Sequence, residues 1–159
     1  MSDSSWELAM AARSYLRKIR ELDDDIRARK RQRDELRASM ASIGSPDYGS
    51  DPVQTSKNPD AAFTRAVERM MDLDAEAAAL IAEKEATKAV MLSQIDQMKD
   101  NRYRTLLRSR YVYCERFEAC ACELNYSLRQ TLRLHKRALL AFGEQHKEDV
   151  IVCHMRPMV

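Results

Sequence analysis

The punctuation of this chain limits its fold more than any other feature. Three of the four prolines (Pro46, Pro52, Pro59) and two of the three glycines (Gly44, Gly49) fall between positions 44 and 59. The run Gly44-Ser-Pro-Asp-Tyr-Gly-Ser-Asp-Pro-Val-Gln-Thr-Ser-Lys-Asn-Pro59 supplies breakers and turn formers and reads as a loop over 44–58. The long stretches on either side carry no breaker, so each is free to form one long helix. Upstream, Ser4-Ser-Trp-Glu7 has capping-box spacing and starts a helix over about 5–43. Downstream, Asn58 caps a helix over about 59–100 whose first residue is Pro59, where the missing N–H costs nothing.

Both stretches carry apolar residues at alternating spacings of four and three. The first seam reads Leu8, Ala12, Tyr15, Leu16, Ile19, Leu22, Ile26, Leu36, Met40 and Ile43; the second reads Phe63, Val67, Met70, Ala77, Ile81, Met91, Ile95 and Met98. Met70, Met71, Met91 and Met98 are read as core filler and not as ligands for a soft metal. Charged residues interrupt the seams. In an antiparallel pairing of residues whose numbers sum to roughly 105, Arg29 and Arg33 face Asp72, Asp74 and Glu76, while Lys84 and Lys88 approach Glu21 and Asp23. The match favours an antiparallel partner, supplied either within the chain or by a second copy. The arginine-rich stretch Ile26 to Arg37 is flanked by acids and reads as a solvated helix face.

Net charge is +2, which hides a partition. Residues 101–142 hold nine Lys or Arg against three acids, and the remainder holds 18 against 22. A basic module on a slightly acidic body points to a polyanionic partner. Here the pattern also shortens. Tyr103, Leu106, Leu107 and Tyr111 share one helical face; Phe117, Cys120, Ala121 and Leu124 follow at i, i+3, i+4 and i+7 after the link 114–116. Asn125-Tyr126 makes a tight turn, and Ser127 caps a last helix from Leu128 to about Phe142, with Thr131, Leu134, Ala138 and Leu139 inward. Helix, link, short helix, turn and helix is a helix-turn-helix layout. The last helix would then read bases in the major groove with Leu128, Arg129, Gln130, Leu132 and Arg133. Arg108, Arg110, Arg116, Ser127, Lys136 and Arg137 suit phosphate contacts.

Tyr103-Arg-Thr-Leu-Leu-Arg-Ser-Arg-Tyr-Val112, Phe117-Glu-Ala-Cys-Ala-Cys-Glu-Leu-Asn-Tyr-Ser127 and Leu134-His-Lys-Arg-Ala-Leu139 resemble region 4 of sigma-70 factors. They are more similar still to a family of small phage and prophage proteins related to ArpU-type late-gene transcriptional regulators. Tyr15-Leu-Arg-Lys-Ile-Arg-Glu-Leu22, Val53-Gln-Thr-Ser56 and Asp72-Leu-Asp-Ala-Glu76 extend the likeness over about residues 11 to 142. Cys114, Phe117, Cys120 and Asn125 stand where that family has Gly, Trp, Ile and Gly, and Thr131 replaces an aliphatic residue. The resemblance implies a phage or prophage transcription regulator that binds double-stranded DNA.

The expected architecture is therefore all-α: a long antiparallel helical hairpin or coiled coil over 1–100, a sigma-region-4-like helix-turn-helix domain over 101–142, and a tail over 143–159. A homodimer through the hairpin would present two reading units to paired half-sites. Two rivals stay open: a phage DNA-packaging factor, and a module that docks on host RNA polymerase and not on DNA. Cys114, Cys120, Cys122 and Cys153 match no zinc spacing, and neither a nucleophile with its base nor a glycine-rich phosphate loop can be assembled. No metal, cofactor or catalysis is expected. No apolar run approaches the roughly 18 residues of a membrane span and no secretion signal leads the chain, so a cytoplasmic protein is expected.

Overall fold

A computed structural model describes residues 3–43 and 59–155. The loop read at 44–58, with the cap Asn58, lies outside these residues, as does the side chain of Ser4. Among the described residues the chain is all helical and has no strand. The helices are α1 (Asp3–Ile43), α2 (Pro59–Asp96), α3 (Asn101–Leu107), α4 (Phe117–Leu124), α5 (Leu128–Gln145) and α6 (Lys147–Met155). A π-helical turn, Arg108–Val112, continues α3. No described helix is long and apolar enough to cross a membrane.

The helix α2 stops at Asp96, four residues short of the boundary expected near 100. Asp100 ends the connection by capping α3: its carboxylate accepts the Arg102 amide at 2.8 Å and the Arg102 Nη2 at 2.8 Å, and this partner holds it below the ordinary carboxylate range. At the other end of the segment, Tyr113 N bonds to Arg108 O, a five-residue step that widens the π turn. Cys114 then takes φ 56°, and Glu115 N closes back on Ser109 O at 3.0 Å. This left-handed residue ends the helix where glycine would sit without a steric penalty.

The chain forms two compact units, Leu22–Glu83 and the remainder. In the first, Leu22, Ile26, Leu73 and Ala77 are buried. Arg29 Nε lies 2.8 Å from Glu76 Oε2 and Arg33 Nη1 lies 3.0 Å from Asp74 Oδ1, so these segments of α1 and α2 run antiparallel, with both pairs inside one chain. Such half-exposed pairs contribute at most about 1 kcal/mol each and act mainly on register. The seam of α2 departs from the reading. Leu73 is buried, with Ala66 and Leu80 half-buried one heptad before and after it, whereas Phe63, Ile81 and Met71 are 60%, 40% and 68% exposed. The stripe follows 66, 73 and 80 instead of 67, 74 and 81, a rotation that leaves Asp74 outside the seam and free to meet Arg33.

In the second unit the start of α1 (Ala9, Ala12, Leu16, Ile19) and the end of α2 (Met91, Ile95, Met98) share one core with Leu107, Tyr111, Val112, Ala138, Leu139, Phe142 and Val150. The compact division therefore does not fall at residue 100, where the charge balance changes. The segment read as a tail is partly built into this core: α6 places Val150 there fully buried, Asp149 Oδ2 accepts Gln94 Nε2 at 2.9 Å, and His146 Nε2 meets Gln94 O at 3.1 Å. A second, smaller core gathers Leu106, Cys120 and Leu134.

The helix α5 also passes the limit read at Phe142. Gly143 lies inside it, facing α1 at close range: a Cβ there would fall 2.9 Å from Leu8 Cγ and 3.1 Å from Leu8 O. Two substitutions should thus move stability in opposite directions. Gly143→Ala gains about 1 kcal/mol of helix propensity but loses roughly 1–3 kcal/mol to overpacking, so a lower Tm is expected. Cys114→Gly relieves a left-handed side chain and should stabilise by about 0.5–1 kcal/mol. Denaturant titration of both variants measures the two effects; a stabilised Gly143→Ala would show that the helices do not need their close approach.

Candidate nucleic-acid interface

The basic segment folds from local signals. Asn125 adopts φ 54°, ψ 42°, the left-handed conformation expected of the turn, and its amide closes on Cys122 O at 3.1 Å while Tyr126 N reaches Ala121 O at 2.9 Å. Ser127 follows in extended backbone and caps α5. Its hydroxyl accepts the Gln130 amide at 3.3 Å, while Gln130 Oε1 accepts the Ser127 amide at 3.0 Å and its hydroxyl at 2.8 Å. This is a reciprocal capping box, and it fixes the direction in which α5 leaves the turn. Thr131, the polar residue at an aliphatic position, is fully buried and satisfies itself by donating to Ser127 O at 3.1 Å.

Four of the five residues read as base contacts form one exposed surface. Leu128 and Leu132 are 42% and 41% exposed, and Arg129 and Arg133 are exposed one turn apart with no ion pair to a described residue. Thr131, Leu134, Ala138 and Leu139 are buried on the opposite side, as the spacing requires. The fifth, Gln130, is exposed but has its carboxamide oxygen committed to the cap.

The residues assigned to phosphate divide further. Lys136, Arg137 and Arg116 are exposed, and Arg116 precedes the first turn of α4. The Ser127 hydroxyl is occupied in the capping box. Arg108 is paired with Asp96, so its charge is largely met within the chain. Arg110 Nη1 donates to Glu115 O at 2.7 Å, and its guanidinium stacks 4.7 Å above the centre of the Phe117 ring.

Beneath Arg110 lies a buried polar contact. His135 Nε2 and the Tyr111 hydroxyl are 2.9 Å apart, their rings stack at 5.8 Å, and Phe117 meets His135 edge-on at 5.0 Å. Burial pushes the Tyr111 phenol up to about 12. It pushes His135 down to about 4, with the charges of Arg13 and Arg110 acting in the same direction. His135 is thus a neutral packing residue at physiological pH. Cys120 is buried, which raises its thiol, and Cys122 is exposed on the same helix, so the two do not converge. No group of three or more His, Cys, Asp or Glu among the described residues could hold a metal ion.

The site reading missed the arginines of α1. Arg13, Arg17 and Arg20 reach the same cavity as Arg110, and their i, i+4, i+7 spacing was the signal that could have revealed a basic row. Comparison with protein-family models, curated proteins and solved structures finds no match.

The histidine makes a pH signature. Folded His135 stays unprotonated down to about 4, whereas the unfolded side chain protonates near 6.5. Unfolding therefore takes up a proton between these values, and the stability tied to the neutral ring is complete above pH 6.5 and lost as pH falls toward 4. The full span amounts to roughly 3 kcal/mol. Urea unfolding from pH 4 to pH 7 should show a clearly shallower dependence in His135→Gln than in the unaltered chain. Identical slopes would mean that the folded histidine titrates normally.

Proposed function

We propose that this protein binds double-stranded DNA sequence-specifically, with α3, α4 and α5 acting as a sigma-region-4-like helix-turn-helix and α5 entering the major groove by its N-terminal end. The observation that carries the reading is the exposed face of Leu128, Arg129, Leu132 and Arg133 directly after the left-handed Asn125 turn and the Ser127 cap. Each unpaired arginine has the fork that matches guanine O6 and N7, and each leucine suits a thymine methyl. Arg116, Lys136 and Arg137 supply exposed charge for the flanking phosphates. The resemblance to phage and prophage regulators of the ArpU type makes transcription control the biological role that fits best.

In this reading α1 and α2 form a helical hairpin that joins two copies, because one such unit buries little surface on DNA and binds weakly alone. Phe63 and Met71 support self-association, since both are large, apolar and more than half exposed on the unit Leu22–Glu83.

Fluorescence anisotropy with duplexes from the gene's own neighbourhood, at two salt concentrations, tests the reading. One duplex should bind at least about 100-fold more tightly than random DNA. Arg129→Ala with Arg133→Ala should remove that preference, each change costing about 1–3 kcal/mol, whereas Lys136→Ala should lower affinity for all duplexes alike and reduce the salt slope by about one. Sequence-blind binding that disappears at the higher salt would sink the specific reading and favour a polymerase or packaging partner.

A further inference from the structure

Arg13, Arg17 and Arg20 follow one another at i, i+4 and i+7 along α1 and are exposed. None of the three forms an ion pair with a described carboxylate. Like charges at this spacing repel one another, and no acid on the neighbouring elements relieves them. They border a cavity of about 260 Å³ together with Arg110, and Tyr111 and His135 also line it; no Asp or Glu does. Arg110 is held in place by its bond to Glu115 O at 2.7 Å and by the Phe117 ring 4.7 Å away. The Tyr111 hydroxyl and His135 Nε2 are already joined at 2.9 Å, so the lining combines a closed, neutral polar pair with four permanent cations.

We infer that this cavity is a phosphate-oxyanion site in which Arg13, Arg17, Arg20 and Arg110 converge on one phosphate or pyrophosphate group. Planar guanidinium groups suit such a ligand because they donate paired hydrogen bonds to its oxygens and keep their charge at any physiological pH. The cavity is smaller than the roughly 300–1,000 Å³ typical of sites for drug-sized ligands, which fits a phosphate group more closely than a whole organic cofactor. The group can come from a free phosphorylated molecule or from a nucleic-acid backbone. The site does not depend on base readout by α5.

Isothermal titration of the full chain with sodium pyrophosphate at low salt tests the site directly. One saturable site per chain is expected, weakened roughly tenfold or more in Arg13→Gln with Arg17→Gln. Lys30→Gln with Arg31→Gln makes the same change in net charge elsewhere on α1 and should leave binding unaltered. Circular dichroism and Tm of both double variants confirm that they fold. Absence of saturable binding, or equal weakening in the two variants, would overturn the inference. A duplex arm then assigns the source. Competition between pyrophosphate and DNA, with loss of DNA affinity in Arg13→Gln, Arg17→Gln, assigns the site to a backbone phosphate. Pyrophosphate binding that leaves duplex affinity unchanged, or that persists in a protein with no duplex affinity, assigns it to a free phosphorylated ligand. Since Arg129→Ala with Arg133→Ala should not affect pyrophosphate, failure of the DNA reading and failure of this site give different results.

Discussion

The arrangement of the C-terminal helices rests on how closely one of them can approach α1. Gly143 brings α5 against Leu8 with no room for a Cβ, and in the same core Leu16, Ile19, Ala138 and Phe142 are sealed from water. Burying side chains of this size stabilises by about 1.5–3 kcal/mol each, far more than any exposed ion pair in the chain. The stacked rings of Tyr15 and Phe142, 6.2 Å apart, and the bond from the Tyr15 hydroxyl to Gln94 at 2.9 Å tie α1, α2 and α5 to one another. The short helices α3 and α4 add only a small core of their own around Leu106, Cys120 and Leu134. They gain a fixed setting because α5 and the end of α3 are anchored in the larger one.

Polarity is distributed by the same logic. Every buried polar group in the basic segment finds a local partner: Thr131 with the Ser127 carbonyl, Ser109 with Glu123, and His135 with Tyr111. The charges that remain at the surface then fall into two kinds. Some are answered within the chain, as Arg108 is by Asp96 and Arg102 by Asp100. Others, including Arg129, Arg133 and the row on α1, have no described counter-charge. That distinction depends on three-dimensional neighbours, and a count of basic residues cannot make it.

Much of the local structure was legible because it rests on short-range chemistry. The Asn125 turn, the Ser127 cap and the inward set Thr131, Leu134, Ala138 and Leu139 each follow from a few adjacent residues and a 3.6-residue period. The Arg29–Glu76 and Arg33–Asp74 pairs were legible from charge matching alone. Harder to read was anything decided by a distant partner. Phe63 and Ile81 looked inward because apolarity and spacing agreed, yet the stripe turned toward Leu73. Helix α6 went unread because Val150 alone among its described side chains is fully buried, and one residue makes no period. Likewise Gly143 read as an end, since a glycine that permits close approach and a glycine that stops a helix look the same in one dimension. For the candidate interface, the exposed face of α5 was visible in the sequence, whereas the engagement of Gln130, Ser127 and Arg108 by neighbours was not.

The π turn at Arg108–Val112 has a consequence for how such a chain can change over time. It holds one residue more than an ordinary helical turn of the same rise, yet Leu107, Tyr111 and Val112 all stay buried. Losing a single residue there would close the turn into regular α-helix and rotate everything beyond it by about 100°. Cys114, α4 and the exposed face of α5 would then be re-aimed together. A one-codon deletion, invisible in composition or charge, is thus the smallest genetic step that could redirect the whole basic surface while each of its helices stayed intact.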